Sequence, residues 1–62
     1  MGAIEQGGFR FDVEYSVTLQ KGALHVYKDG EYKEELTFTF EGREPDSEEI
    51  EKLVNSYVEG HQ

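Results

Sequence analysis

From Phe9 to Gln20 the chain alternates without interruption, with Phe9, Phe11, Val13, Tyr15, Val17 and Leu19 set against Arg10, Asp12, Glu14, Ser16, Thr18 and Gln20. A strict period of two sends successive side chains to opposite faces, which is the pattern of a half-buried β-strand. A helix would spread the same apolar residues around its whole circumference. The chain is therefore committed to a sheet with one apolar face, and that face needs a cover. Gly7-Gly8 separates this strand from Met1–Glu5, in which Ala3 and Ile4 either form a short edge strand or lie across the core.

Two further apolar runs follow. Residues 23–28 and 31–41 flank Asp29-Gly30, a dipeptide that signals a hairpin because its residues tolerate positive φ. The apolar faces of paired strands must match, since a slip of one residue turns every side chain over. A two-residue loop at Asp29-Gly30 would place Leu36, Phe38 and Phe40 on the face opposite Leu24 and Val26. A three-residue loop, Lys28-Asp29-Gly30, with a bulge at Gly30 pairs Val26 with Tyr32 and Leu24 with Glu34 and collects the large apolar residues on one side. The same parity at the first hairpin requires an even loop, Lys21-Gly22 or residues 20–23, which sets Leu19 against Leu24 and Val17 against Val26. Tyr32 then belongs to the inner face, and His25, Tyr27, Lys33 and Glu35 to the outer one.

Pro45 cannot donate to a ladder, so the third strand ends before it. Asp46 is placed as a helix N-cap with Glu49 three residues on as a capping box, and Ile50, Leu53, Val54, Tyr57 and Val58 form one apolar stripe at helical spacing. Gly60 is placed to stop the helix. The expected architecture is α+β: one domain over residues 1–62 in which a three-stranded antiparallel meander (about 9–20, 23–28 and 31–41), to which the N-terminal segment can add a short fourth strand, carries a C-terminal amphipathic helix (about 47–59) on one face, followed by a frayed tail at 60–62.

That arrangement contains a mismatch. Twelve residues of strand extend about 40 Å, whereas a thirteen-residue helix is about 20 Å long. One helix cannot cover the whole apolar face. Taking the helix to lie over Val17, Leu19, Leu24, Val26, Leu36 and Phe38, the start of the first strand is left over, and Phe9 and Phe11 are its exposed remainder. Either the strand bends sharply, or the N-terminal segment, a second copy of the chain or another protein completes the cover.

Composition narrows the function classes. With 14 Asp plus Glu against 6 Lys plus Arg, the formal charge of −8 opposes binding to a phosphate backbone, which needs clustered basic residues. Nucleic acid is not an expected partner. The acids are spread through every element, the ordinary pattern of a soluble surface. There is no cysteine, hence no disulfide, thiolate metal site or cysteine nucleophile. No apolar run approaches the 18 or so residues of a membrane span and no signal-peptide pattern opens the chain, so a cytoplasmic protein with no membrane contact is expected.

No constellation of catalytic residues emerges. His25 and His61 have no metal-ligand spacing, and the serines have no histidine partner. Glu34 is the one acid expected on the inner face, where a carboxylate near a sheet edge reaches water. Neither a cofactor nor a small-molecule substrate is indicated, and the chain reads as non-enzymatic. Its expected interaction surface comprises Phe9, Phe11, His25, Tyr27 and Tyr32.

The stretch GALHVYKDGEYKEELTFTFEG followed by PDSEEIEKLVNSY resembles short proteins of unknown function from Gram-positive bacilli, built as a meander and a helix. The resemblance implies a free-standing cytosolic protein and carries over no active site or ligand. The functional expectation is a small protein-interaction module acting on a protein partner or on itself as a homodimer. The alternative is an acidic nucleic-acid mimic or an inhibitor of a basic protein.

Overall fold

Four strands and one helix follow one another in the computed structural model, which describes residues 2–61: β1 (Ala3–Gln6), β2 (Phe9–Ser16), β3 (Lys21–Lys28), β4 (Glu31–Thr39) and α1 (Ser47–Gly60). The strands form one antiparallel sheet in the order β1-β2-β3-β4. Ala3 and Ile4 belong to the short edge strand, where Ile4 pairs with Phe11. The turn between β1 and β2 is Gly7-Gly8, both at positive φ (61° and 85°) as a tight two-residue hairpin turn demands.

The first long strand is shorter than its alternation suggests. β2 ends at Ser16, and Val17–Gln20 form a four-residue turn, so Phe11 pairs with Val26 and Val13 with Leu24. The even loop is present, but it lies nearer the N-terminus than the sequence places it. Local hydrogen bonding explains the early stop. Ser16 Oγ accepts the Leu19 N–H at 3.2 Å, and Gln20, at φ 54°, spans the turn to Gly42 with both its amide groups (2.9 Å each). Val17 and Leu19 consequently leave the expected inner face and are 50% and 67% exposed.

The second hairpin reaches the expected parity by another device. Asp29 and Gly30 alone form the loop, at φ 54° and 79°, pairing Lys28 with Glu31 and Tyr27 with Tyr32. The register then shifts, and Val26 faces Glu34, which leaves Lys33 as the extra residue of a bulge inside the ladder. From there Leu24 faces Leu36, and Gly22 faces Phe38. The apolar residues beyond the bulge share one face, whereas Tyr32, expected inside, stands outside next to Tyr27.

Helix α1 lies on the inner face. Asp46 caps it, its carboxylate accepting the Glu48 N–H at 2.9 Å, and the helix continues through Gly60 to His61 as its C-cap. His61 is held rather than frayed: its Nδ1 lies 2.8 Å from the Tyr57 carbonyl and its ring stacks on Tyr57 at 3.9 Å. Gln62, the remainder of the expected frayed tail, lies outside the described residues, as does Met1. The core joins Phe9, Phe11, Leu24 and Val26 of the sheet to Ile50, Val54, Tyr57 and Val58 of the helix. Phe9 and Phe11 are thus buried (6% and 0% exposed), each meeting the Tyr57 ring edge-on at 5.2 and 5.7 Å.

Candidate functional site

The length mismatch between sheet and helix is present, but at the opposite end from the one expected. Fourteen residues make a helix about 21 Å long, while the molecule is 33 Å along its longest axis. The C-terminal half of α1 sits on the β1–β2 end, where the Gln6 amide donates to Asn55 Oδ1 and Val58 presses against Gly7. Its N-terminal turns reach only as far as Phe38, which packs against the core, and a cleft separates them from Phe40. At this end the tilted rings of Tyr15 and Phe40 meet at 5.5 Å between centres, with Phe38 next in line at 6.5 Å from Phe40; all three are half-buried. With exposed Val17 and Leu19 in the adjoining turn, this end carries apolar surface that none of the described elements covers.

Next to it opens a cleft of about 840 Å³, bounded by the end of β4, the 41–46 loop and the first turns of α1. Phe38, Phe40, Ile50 and Leu53 supply apolar wall, and Glu41, Glu44 and Glu49 stand among its polar lining. None of this was assigned to a site from the sequence. The signal available was Pro45 followed by a capped helix start, which fixes a loop between the last strand and the helix but not the separation of their apolar faces.

The opposite face brings His25, Tyr27 and Tyr32 together, as the sequence suggested for the first two. Tyr32 contacts both, with ring centres 5.6 Å from Tyr27 and 6.3 Å from His25, and the Arg10 guanidinium lies 4.5 Å over the Tyr27 ring. His25 Nε2 is 2.9 Å from Glu35, and its Nδ1 is 3.8 Å from Glu14. Arg10 also pairs with Asp12 at 3.2 Å. Arg10 and His25 thus each have a carboxylate neighbour on this face. Of the residues expected to make an interaction surface, Phe9 and Phe11 are excluded by burial.

Glu34 occupies the inner face at the sheet edge, where Tyr57 donates its hydroxyl to the carboxylate at 2.9 Å and His61 Nε2 stands 3.8 Å away. Burial pushes the Tyr57 hydroxyl above its ordinary value of 10.0, and the hydrogen bond to Glu34 and the carboxylate's charge push it the same way. The folded chain therefore holds this proton more tightly than the unfolded chain. The stability so gained is complete below about pH 10 and is lost as pH rises through the raised folded value. Tyr57→Phe is expected to lose about 1 kcal/mol at neutral pH for the missing hydrogen bond, and to fall less steeply than the parent between about pH 8 and about pH 10.5. Urea titrations at the two pH values measure both effects; parallel losses in the two chains would show that the Tyr57 proton is not linked to folding.

Among the described residues no cluster of three His, Cys, Asp or Glu side chains is disposed to hold a metal ion, and no helix is long and apolar enough to cross a membrane. A family model described only as a family of unknown function, DUF5370, matches residues 1–62. The chain belongs to DUF5370. Within that family setting, the chain is similar to the uncharacterised protein YbxH of Bacillus subtilis strain 168, with 52% identity over 62 residues, covering 100% of this chain and 98% of YbxH. The resemblance read from the hairpin and capped helix, to short proteins of Gram-positive bacilli, is therefore correct. No solved structure matches the chain significantly.

Proposed function

We propose that this member of DUF5370 is a small, non-enzymatic, cytoplasmic protein-interaction module that works through the apolar end of the sheet beyond α1. One observation carries the reading: Val17 and Leu19 are 50% and 67% exposed beside the partly covered Tyr15, Phe38 and Phe40, so large apolar side chains gather where α1 does not reach. Exposed apolar side chains at one end of a chain this small make a binding surface or an aggregation hazard. The charge of −8 counters the second.

The mimic reading is less well supported. Two carboxylates that would have to stand in for phosphates already have cationic partners, Asp12 with Arg10 (3.2 Å) and Glu31 with Lys33 (3.0 Å).

Comparative capture from a Gram-positive bacillus lysate tests the patch. The parent chain should retain one or more proteins that the double variant Val17→Ser/Leu19→Ser does not, while both show the same circular dichroism and melting. These positions are turn residues outside the core, and surface substitutions of that kind are usually worth within about 0.5 kcal/mol. Equal recovery by the two chains, or recovery by neither together with a monomeric mass at millimolar concentration, removes the reading.

A further inference from the structure

The cleft beside the open sheet end identifies the kind of partner more closely, resting on the interaction-module reading above. Phe38, Phe40 and Leu53 supply the apolar part of its wall, and the charged side chains among its lining are all acidic, Glu41, Glu44, Asp46 and Glu49, with no Lys or Arg. Asp46 is engaged in capping α1. Glu49 has Lys52 at 3.7 Å, but both side chains are about 70% exposed, and a pair so solvated contributes little and rearranges readily. Glu41 and Glu44 stand on the loop with no cation paired to them among the described residues. The cleft, of about 840 Å³, is large enough for several side chains and sets its apolar wall beside four carboxylates, against which Lys52 at Glu49 and Arg43 on the same loop leave a net negative rim.

We propose that this cleft binds a cationic amphipathic segment of another protein, with an apolar side chain anchored between Phe40 and Leu53 and flanking Lys or Arg residues facing Glu41, Glu44 and Glu49. Charge selects this occupant over a second copy. A twofold self-contact is isologous and would bring two acidic rims into one interface, on chains that each carry −8. Like charges crowded into an interface oppose association, whereas opposite charges steer encounter and fix register. Anionic membranes and nucleic acids meet the same repulsion.

The test is an NMR titration of the full chain, isotopically labelled, with three synthetic peptides of about twelve residues. One carries a central Leu-Phe anchor flanked by lysines, one the same anchor flanked by glutamates, and one the lysines with the anchor replaced by Ser-Ser. The lysine peptide with its anchor is expected to shift Phe38, Phe40, Glu41, Glu44 and Leu53 and to bind at least about tenfold more tightly than either control. Its affinity should fall several-fold as salt rises from about 0.05 M to about 0.5 M, as screening shortens the reach of the rim charges. Glu41→Gln/Glu44→Gln/Glu49→Gln, which spares the Asp46 cap and touches only exposed residues, should lose most of that preference while still unfolding in one cooperative transition.

Failure has separable forms. Equal binding of the lysine and glutamate peptides at the cleft overturns the cationic assignment and leaves the module reading standing. Absence of binding by the lysine peptide up to about 1 mM, or shifts scattered away from the cleft, also overturns it, and the lysate comparison then decides the module reading independently. Concentration-dependent shifts of the same cleft residues without any peptide would assign the cleft to a second copy and overturn the proposal.

Discussion

Replacing Phe11 by alanine is expected to leave the chain without a cooperative unfolding transition at room temperature. Phe11 is fully buried, pairs across the ladder with Ile4 on one side and Val26 on the other, and meets Phe9 and Tyr57 ring to ring at 6.2 and 5.7 Å. Removing a buried phenyl ring costs about 3–5 kcal/mol, the lost transfer energy plus the cavity left behind. A core in a chain this short rarely supplies more than about 3–5 kcal/mol in total. The two magnitudes are comparable, and there is no disulfide to hold the remainder together. Far-UV circular dichroism with a urea titration measures the outcome. Phe11→Leu keeps most of the volume and should remain folded, about 1.5 kcal/mol less stable. Val17→Ala and Leu19→Ala, at exposed turn positions, should change stability by less than about 0.5 kcal/mol. A cooperative Phe11→Ala transition within about 1 kcal/mol of the parent would mean that α1 does not seal this end of the sheet.

That ordering of substitutions reverses the one the alternating pattern suggests, and the reversal shows what was legible. Period two states which side of the strand a residue occupies, and it does so correctly for Phe9, Phe11 and Val13. It carries no information on where the strand ends. Val17 and Leu19 continue the alternation inside a turn because Ser16 and Gln20 satisfy the turn backbone with their side chains, a competition that Ser and Gln can win at a strand end. Once β2 stops at Ser16, the centre of the hairpin moves toward the N-terminus, and Val26 meets Phe11 instead of Val17. The face of the sheet under the helix shifts with it, and the uncovered aromatic end passes from Phe9 to Phe40. The mismatch of lengths was legible; its location depended on one turn.

At the second hairpin, matching apolar faces requires one extra residue between Val26 and Leu36, and that much follows from parity alone. The residue that absorbs the extra length is not fixed by parity. Asp29-Gly30 makes its preferred two-residue turn, and the bulge falls at Lys33, whose side chain goes to Glu31 at 3.0 Å. Tyr32 is thereby sent to the platform with Tyr27 and His25 instead of burying its hydroxyl. The helix, by contrast, was legible in cap and stripe, since Asp46 and Ile50, Val54, Tyr57 and Val58 act through neighbours within one or two turns. The cleft was not legible, because it is formed by the distance between two elements rather than by a motif in either.

What fixes that distance leads to the second large effect, expected for Gly7→Ala. Gly7 is at φ 61°, where a side chain costs about 1–2 kcal/mol. A Cβ there would also overlap Val58 Cγ1 and stand 3.2 Å from Cγ2, on a helix residue only 4% exposed. Gly8 has the first handicap without the second, at φ 85° with no atom within 4 Å of the place its methyl group would take. Gly8→Ala should therefore cost about 1 kcal/mol, and Gly7→Ala about 2–4 kcal/mol, the difference being the overpacking of the helix contact. Val58→Ala removes the obstructing methyls, so the double variant Gly7→Ala/Val58→Ala should be at least about 1 kcal/mol more stable than the sum of the single losses predicts, because the two sites touch. Urea titrations of the four variants measure the cycle. Equal losses at Gly7 and Gly8 with no coupling to Val58 would show that the helix is not seated on the turn. The seat matters beyond stability: with its C-terminal half pressed onto Gly7, a helix of fixed length must fall short of Tyr15 and Phe40, so the absent side chain at one end of the sheet is a cause of the open apolar surface at the other.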